Sequence, residues 1–303
     1  MTGALPRGPD FINVGAQKAA STWLYSCLRE HPQIFMAPKN RVWFFQHPDY
    51  SPDKWGWYLS HFGGATANQR IGDSRVEYLY HPESAKLIAR HLPRCKILVS
   101  LRDPVDRGFS ALLWMQRRNL LPLEPPNSAL ARALADFGED PTTVEQRRLR
   151  QVLEMGFYSE QLERYFDIFD RDRFLIFFTD DVRRRPLKTI RSVFRFLDVD
   201  SDFTPRSLHG TPLKAIGTPF LIQAERLSKG VPGAFRALQL VNRLLERAGF
   251  AKPPPDLDPG LRRQLKDFYA PRNRRLATLL AESRLDTEAA SGGDRSWLTS
   301  PGT

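Results

Sequence analysis

The chain of 303 residues has only two cysteines, Cys27 and Cys95, which excludes a disulfide framework and gives no spacing for zinc. Both read as small buried residues. No apolar run approaches the roughly 20 residues that span a bilayer. The N-terminus also lacks a charged start followed by an apolar stretch. The first strand pattern begins by Phe11, leaving no room for a leader or stalk, so the expected location is cytoplasmic, without a transmembrane segment. No internal repeat is evident, and no nucleic-acid module is recognisable. Lys plus Arg number 45 against 34 Asp plus Glu, a formal net charge of +11, yet the arginines are scattered, so nucleic acid is not an expected partner. The charge suits either an anionic ligand or a solvated basic face. The length allows one large domain or two modest ones.

What is present begins with Phe11-Ile-Asn-Val-Gly15-Ala-Gln-Lys18-Ala-Ala-Ser21-Thr22-Trp23. An apolar strand runs into a small-residue turn carrying one lysine and two hydroxyls, and from about Ala19 the chain can wind into a helix. Its first amides have no intrahelical partner, and together with the helix dipole and Lys18 they would converge on a phosphate or sulfate. The nucleotide P-loop G-x-x-x-x-G-K-[ST] is not matched, because Lys18 follows Gly15 by three residues and the second glycine is missing.

A second element has the same logic. Lys96-Ile-Leu-Val-Ser-Leu101 reads as a buried strand, followed by Arg102-Asp-Pro104-Val-Asp-Arg107-Gly-Phe-Ser110. Arg102 leaves the strand end as a fork suited to phosphate oxygens. Pro104 opens a helix where its missing N–H costs nothing, and Ser110 follows about two turns later.

The first loop resembles G-x-x-K-x-G-T-T, the 5′-phosphosulfate loop of sulfotransferases that use 3′-phosphoadenosine 5′-phosphosulfate (PAPS), with Ala20 where that family usually has glycine. The second resembles their 3′-phosphate motif, R-[DN]-P-x-x-R-x-x-S. Further likenesses follow in order: Lys54 to Phe62 with its Trp57-Tyr58, Tyr78 to Ala85, Gly156-Phe-Tyr158-Ser-Glu-Gln-Leu162, the strand Arg173 to Phe178, and the helix Pro186 to Val199. The resemblance implies an α/β domain with a central, mainly parallel, five-stranded sheet flanked by helices, a P-loop-like sulfotransferase fold with a helical C-terminal extension. It would occupy residues 9–282, with the motifs within 11–199, a helical part at 217–282 and a polar tail at 283–303.

The resemblance also implies roles. Lys18 would stabilise charge on the leaving phosphate. Gly15, Gln17, Ala19, Ala20, Ser21 and Thr22 would line the 5′ side, and Arg102 and Ser110 would hold the 3′-phosphate. Trp23 and Tyr158 either border the adenine or belong to the core. Arg206, His209 and Lys214 each qualify to cover the nucleotide. The donor would be PAPS, the product PAP, and no metal is expected.

The acceptor side departs from the pattern. Where related carbohydrate and amine sulfotransferases carry P-x-K-K-E-x-x-F-F, with the Glu as base, this chain reads Pro38-Lys-Asn40-Arg41-Val-Trp43-Phe44-Phe45. Arg41 cannot take a proton. The family's G-E-K-[ST]-P becomes Gly72-Asp73-Ser74-Arg75-Val, so the usual Lys is also gone. Three explanations stand. His47 is the base, since imidazole titrates near neutral pH; Asp73 or Glu77 is the base; or Arg41 and Arg75 bind an anionic acceptor that needs little help. Trp43 and Phe44 form either an acceptor wall, for a small molecule or a glycan, or part of the core. The rival readings are a PAPS-binding homologue that has lost its base, and a P-loop kinase.

Elsewhere, Leu120 to Asn127 reads as a surface excursion leading into helical patterns up to Glu154. Helices are expected at 219–228, 234–248, 261–269 and 272–282. The Leu- and Arg-rich stretch 235–245 suits core packing, a homodimer contact or a membrane surface. The tail from Glu288, polar apart from Trp297, is expected to be loosely held.

Overall fold

A computed structural model of the chain describes residues 6–38, 42–46, 48, 50–209, 255–282 and 295–299. Five strands, β1 (Phe11–Gly15), β2 (Ile34–Met36), β3 (Arg70–Ser74), β4 (Lys96–Leu101) and β5 (Phe174–Phe178), form a parallel sheet in the order β2-β3-β1-β4-β5. The helices are α1 (Ser21–Glu30), α2 (Trp55–Ser60), α3 (Ser84–His91), α4 (Pro104–Arg117), α5 (Pro126–Ala135), α6 (Val144–Glu154), α7 (Tyr158–Phe166), α8 (Thr179–Arg184), α9 (Pro186–Phe196), α10 (Pro259–Glu282) and α11 (Ser296–Thr299). The expected α/β fold with its five-stranded parallel sheet is present.

The strands read as unbroken apolar runs because both sheet faces are covered. On one face Phe11, Leu98, Leu175 and Phe177 join Trp23, Leu24 and Leu28 of α1 with Ile190, Val193 and Phe194 of α9. On the other, Ile12, Val14, Ile97, Val99 and Ile176 join residues of α2, α3, α7, α10 and α11. Gly72 lets β3 pass closely: a Cβ there would lie 2.3 Å from the Phe11 ring and 2.5 Å from Met36 Sδ.

The described residues group into two compact units. The sheet unit takes residues up to 107, 154–209 and those from 266 onward; the second takes 108–153 and 255–265. In the second, Arg132 holds Glu124 in a two-bond fork (2.8 and 2.7 Å) and also reaches Glu145 (2.6 Å), joining α5 to the start of α6. Asn127 bonds Asp256 and Asp258 through its side chain, each at 3.1 Å.

Two expectations change. The helices expected at 261–269 and 272–282 are one helix, α10, that runs through Pro271. Tyr269, Ala270, Asn273, Leu276 and Leu280 are buried on both sides of that proline, and their packing outweighs the lost amide. The tail is also anchored rather than loose at 295–299. Trp297 and Leu298 are buried in the core, which a lone Trp in a polar run can achieve by occupying a site made by distant elements. The helices expected at 219–228 and 234–248 lie outside the described residues. Among the described residues no helix is long and apolar enough to cross a membrane.

Candidate active site

After β1 the chain places β2 and β3 on one side of it, with β3 adjacent, and then β4 and β5 on the other, so the order reverses between β1 and β4. In open α/β sheets the crevice at such a switch point, outside the carboxyl ends of the strands, is where ligands bind. Both anion motifs emerge there: the Lys18 loop leaves β1, and Arg102 follows β4 directly.

The loop is fixed from several sides. Ala16 N donates to Ser100 O (2.8 Å) and Ser100 Oγ donates to Gly15 O (3.3 Å), fastening the exit of β1 to β4. Gly15 has φ 153°, and a Cβ there would meet Leu79 Cβ at 2.9 Å, so only glycine fits. Lys18 (φ 67°) and Ala20 (φ 64°) are both left-handed, and Ala20 is the N-cap of α1. Ser21 and Thr22 are therefore the first residues of the helix, at the turn whose amides lack intrahelical partners. No acidic residue occupies that turn, leaving its positive potential uncompensated.

Arg102 bridges the two motifs. Its Nη1 lies 3.4 Å from Lys18 O, and its Nη2 lies 3.9 Å from Asp106 Oδ2. Burial lowers its pKa, opposed by Asp106, yet the guanidinium remains charged. Arg102 Nε and Gln17 Oε1 are buried without a hydrogen-bond partner among the described residues. The open Arg102 donor beside an uncapped helix start fits the phosphates of a polyanionic nucleotide such as PAPS, whereas the open Gln17 acceptor calls for a donor such as a hydroxyl. Ser110 sits on α4, six residues after Pro104, in the second unit.

Other expected residues fall elsewhere. Asp73, a candidate base, is the penultimate residue of β3 and pairs in register with Ile12 of β1. It is 3% exposed, and its oxygens accept from Tyr58 Oη (3.1 Å) and Ser74 N (2.7 Å). Burial pushes its pKa up to about 6, only partly offset by those two donors. Both carboxyl oxygens are engaged and the side chain is nearly closed to solvent, which argues against Asp73 as the base. Glu77 is paired with Arg75 at 2.9 Å.

Phe44 is likewise not an acceptor contact. It is fully buried, stacked on Tyr58 and packed against Phe45, Tyr50 and Trp55. Trp43 does face outward, at 43% exposure, with the Arg75 guanidinium 3.3 Å from its ring centroid. Arg75 is itself buried, so it backs Trp43 and meets Glu77 instead of offering its charge to an acceptor. Trp23 and Tyr158 are both buried; Trp23 Nε1 donates to Leu208 O (3.0 Å) and Tyr158 Oη to Arg102 O (3.0 Å). The amides of Arg206 and Ser207 are taken by the Glu30 carboxylate. Arg41, His47 and Lys214 lie outside the described residues.

Two supports escaped the sequence reading. Tyr78 Oη accepts from the amides of Phe44 (3.1 Å) and Phe45 (3.4 Å), which fixes the loop bearing Trp43. Thr179 Oγ1 donates to Leu101 O (3.0 Å) and steadies the exit of β4. A hydroxyl directly after the apolar run Phe174–Phe178 was the available signal for the second. A cavity of about 460 Å³, lined by Phe11, Arg70, Lys96 and Arg173 among others, opens at the amino ends of the strands, opposite this site.

Comparison with known proteins agrees with the geometry. The profile described as "Sulfotransferase domain" matches residues 8–210. The membrane-associated sulfotransferase kil1 of Dictyostelium discoideum is 34% identical over 123 residues, which is 38% of this chain and 26% of that protein. The human bifunctional heparan sulfate N-deacetylase/N-sulfotransferase 2 is 25% identical over 286 residues, 91% of this chain and 30% of that protein. The chain thus spans only about a quarter to a third of the length of these curated relatives. A crystal structure of a sulfotransferase from Alicyclobacillus acidocaldarius shares the fold, with a TM-score of 0.67 at 24% identity over 91% of this chain and 96% of that one. With the matched profile covering the β1 loop, the β4 exit and all five strands, this chain belongs to the sulfotransferase domain family.

Proposed function

We propose that this chain transfers a sulfo group from PAPS to a hydroxyl or amine of an acceptor. The observation that carries this reading is the meeting of the two anion motifs at the switch point, where Arg102 reaches the backbone of Lys18. PAPS, when bound, supplies the sulfo group and a phosphate leaving group. Lys18 stabilises charge on that phosphate, in the manner of a preorganised cation. The first-turn amides of α1 and the hydroxyls of Ser21 and Thr22 hold the 5′ side, while Arg102 holds the 3′-phosphate. Positioning and charge stabilisation carry such a transfer, by analogy with phosphoryl transfer, and the chain needs no metal for it.

The proton of the acceptor is assigned to His47, because Asp73 is buried with both carboxyl oxygens bonded and Glu77 is paired with Arg75. Trp43 offers an exposed ring as one wall of the acceptor site, suited to the flat face of a sugar or a small cyclic molecule. The human relative's name specifies heparan sulfate, which favours testing glycans first.

Calorimetry with PAP and labelled-sulfate transfer from PAPS together test the proposal. Wild type should bind PAP; Arg102→Ala should weaken binding at least about tenfold, and Lys18→Ala should abolish transfer. Absence of PAP binding by wild type, or variants that bind as well as wild type, overturns it. The loss of the expected acid at Arg41 favours a second reading, a PAPS-binding homologue without turnover. Labelled product formed in an extract by wild type and not by Lys18→Ala eliminates that reading.

A further inference from the structure

The exit of β4 carries Arg102, yet Arg102 follows the last strand residue and has no ladder of its own. Its backbone is steadied from one side by the Tyr158 hydroxyl on Arg102 O (3.0 Å), and Leu101 O is steadied by Thr179 Oγ1 (3.0 Å). Tyr158 opens α7 and Thr179 opens α8, and both stand beside a segment from the far end of the chain. The Trp297 ring meets Tyr158 edge-on at 6.4 Å and Phe178, the neighbour of Thr179, at 6.1 Å.

That segment is bolted in place by polar contacts as well. Arg295 Nη2 donates to Asp181 Oδ2 at 3.2 Å, with the Asp181 side chain 2% exposed, and the Arg295 guanidinium lies 4.3 Å from the Phe178 ring centroid. The same Asp181 oxygen accepts from Phe178 N at 3.3 Å. Asn273 Nδ2 on α10 donates to Trp297 O at 2.9 Å. Such a set of directional contacts around one buried indole defines a single docked position, and a greasy tail would not require them.

We propose that Trp297 is a positioning residue for recognition of the nucleotide's 3′-phosphate. It holds Tyr158 and Phe178 so that the two hydroxyls on the β4 exit keep the Arg102 fork aimed. A planar guanidinium gains from two-bond recognition only in a narrow range of orientations, so a tilt of its backbone lowers affinity for the group it faces and for little else. The inference rests on the assignment of Arg102 to the 3′-phosphate made above.

The experiment measures dissociation constants of PAP and of AMP, which lacks the 3′-phosphate, on the full chain. Wild type, Trp297→Ala, Trp297→Phe, Tyr158→Phe and Arg102→Ala are compared after circular dichroism has shown which variants are folded. Trp297→Ala should narrow the preference for PAP over AMP about tenfold while leaving AMP affinity within about twofold, and Trp297→Phe should restore most of the preference. Tyr158→Phe, which removes one hydroxyl and keeps the ring, should give the same narrowing and serves where Trp297→Ala does not fold. Equal loss for both nucleotides, or no loss for either, overturns the inference. If Arg102→Ala fails to narrow the preference, the underlying 3′-phosphate assignment falls; if Arg102→Ala narrows it and both Trp297→Ala and Tyr158→Phe do not, only the positioning role falls.

Discussion

Ala20 shows how a single backbone angle separates what the loop needs from what this sequence supplies. The N-cap of α1 is left-handed at φ 64°, a conformation that costs an L-residue about 1–2 kcal/mol, and glycine is the residue without that cost. Ala20→Gly should therefore stabilise the protein by about 0.5–1 kcal/mol, after allowing for glycine's greater freedom in the unfolded chain. Thermal unfolding checks this, and a destabilised variant would mean that the methyl group's packing outweighs the strain. Asp73 gives the opposite case, a side chain whose burial rather than backbone sets its behaviour. Its carboxyl is raised from 3.8 to about 6, so the folded protein binds the extra proton. Between those two values stability falls as pH rises, and it is flat above them, reaching a cost of roughly 3 kcal/mol at about 1.4 kcal/mol per unit. Asp73→Asn can still accept from the Ser74 amide and can donate to Tyr58, so it should remove that pH dependence from urea melts at pH 4, 5 and 7. Its turnover should stay within a factor of about three, far from the 10²–10⁴-fold loss that follows removal of a general base. A loss in that larger range would reinstate Asp73 as the base.

Among the elements, those that were readable in the sequence are those whose local signal and burial agree. The apolar runs of β1 and β4 are followed at once by small or charged residues, and both strands lie in the middle of a sheet covered on two faces. Helix α10 was read as two helices, because a proline signals a break from sequence alone, while the burial of Tyr269, Leu276 and Leu280 that keeps it whole depends on residues far away in the chain. Pro271 is exposed, so it contributes little packing of its own. Pro271→Ala restores an amide to the helix and removes the clash of the ring with the preceding turn. It should raise stability by about 1–2 kcal/mol, the helix cost of proline less the entropy it removes from the unfolded chain. An unchanged or lower melting temperature would show that Pro271 itself is required to seat α10 on the sheet.

At the scale of the whole molecule, the sequence offers short motifs for the proposed donor half and none for the acceptor half, for a physical reason. An anion cradle is built from short runs of residues at strand ends, so the roles proposed for Gly15, Lys18 and Arg102 can be read from local motifs. An acceptor surface is assembled from side chains whose direction depends on tertiary packing: Phe44 points inward, its neighbour Trp43 outward, and Arg75 turns under Trp43. The chain's net charge of +11 would favour the proposed polyanionic donor in the same way, since such an effect is long-range and needs no contact. The Debye length shortens from about 30 Å at 0.01 M salt to about 8 Å at 0.15 M, so steering by distant lysines and arginines is largely lost across that range. The association rate of PAP in stopped-flow should accordingly fall about tenfold between those salt concentrations, while the dissociation rate, set by the close contacts of Lys18 and Arg102, should change by less than about threefold. An association rate indifferent to salt would mean that the surplus charge is spread over surfaces facing away from the β1–β4 crevice, and that capture of the donor depends on the cradle residues alone.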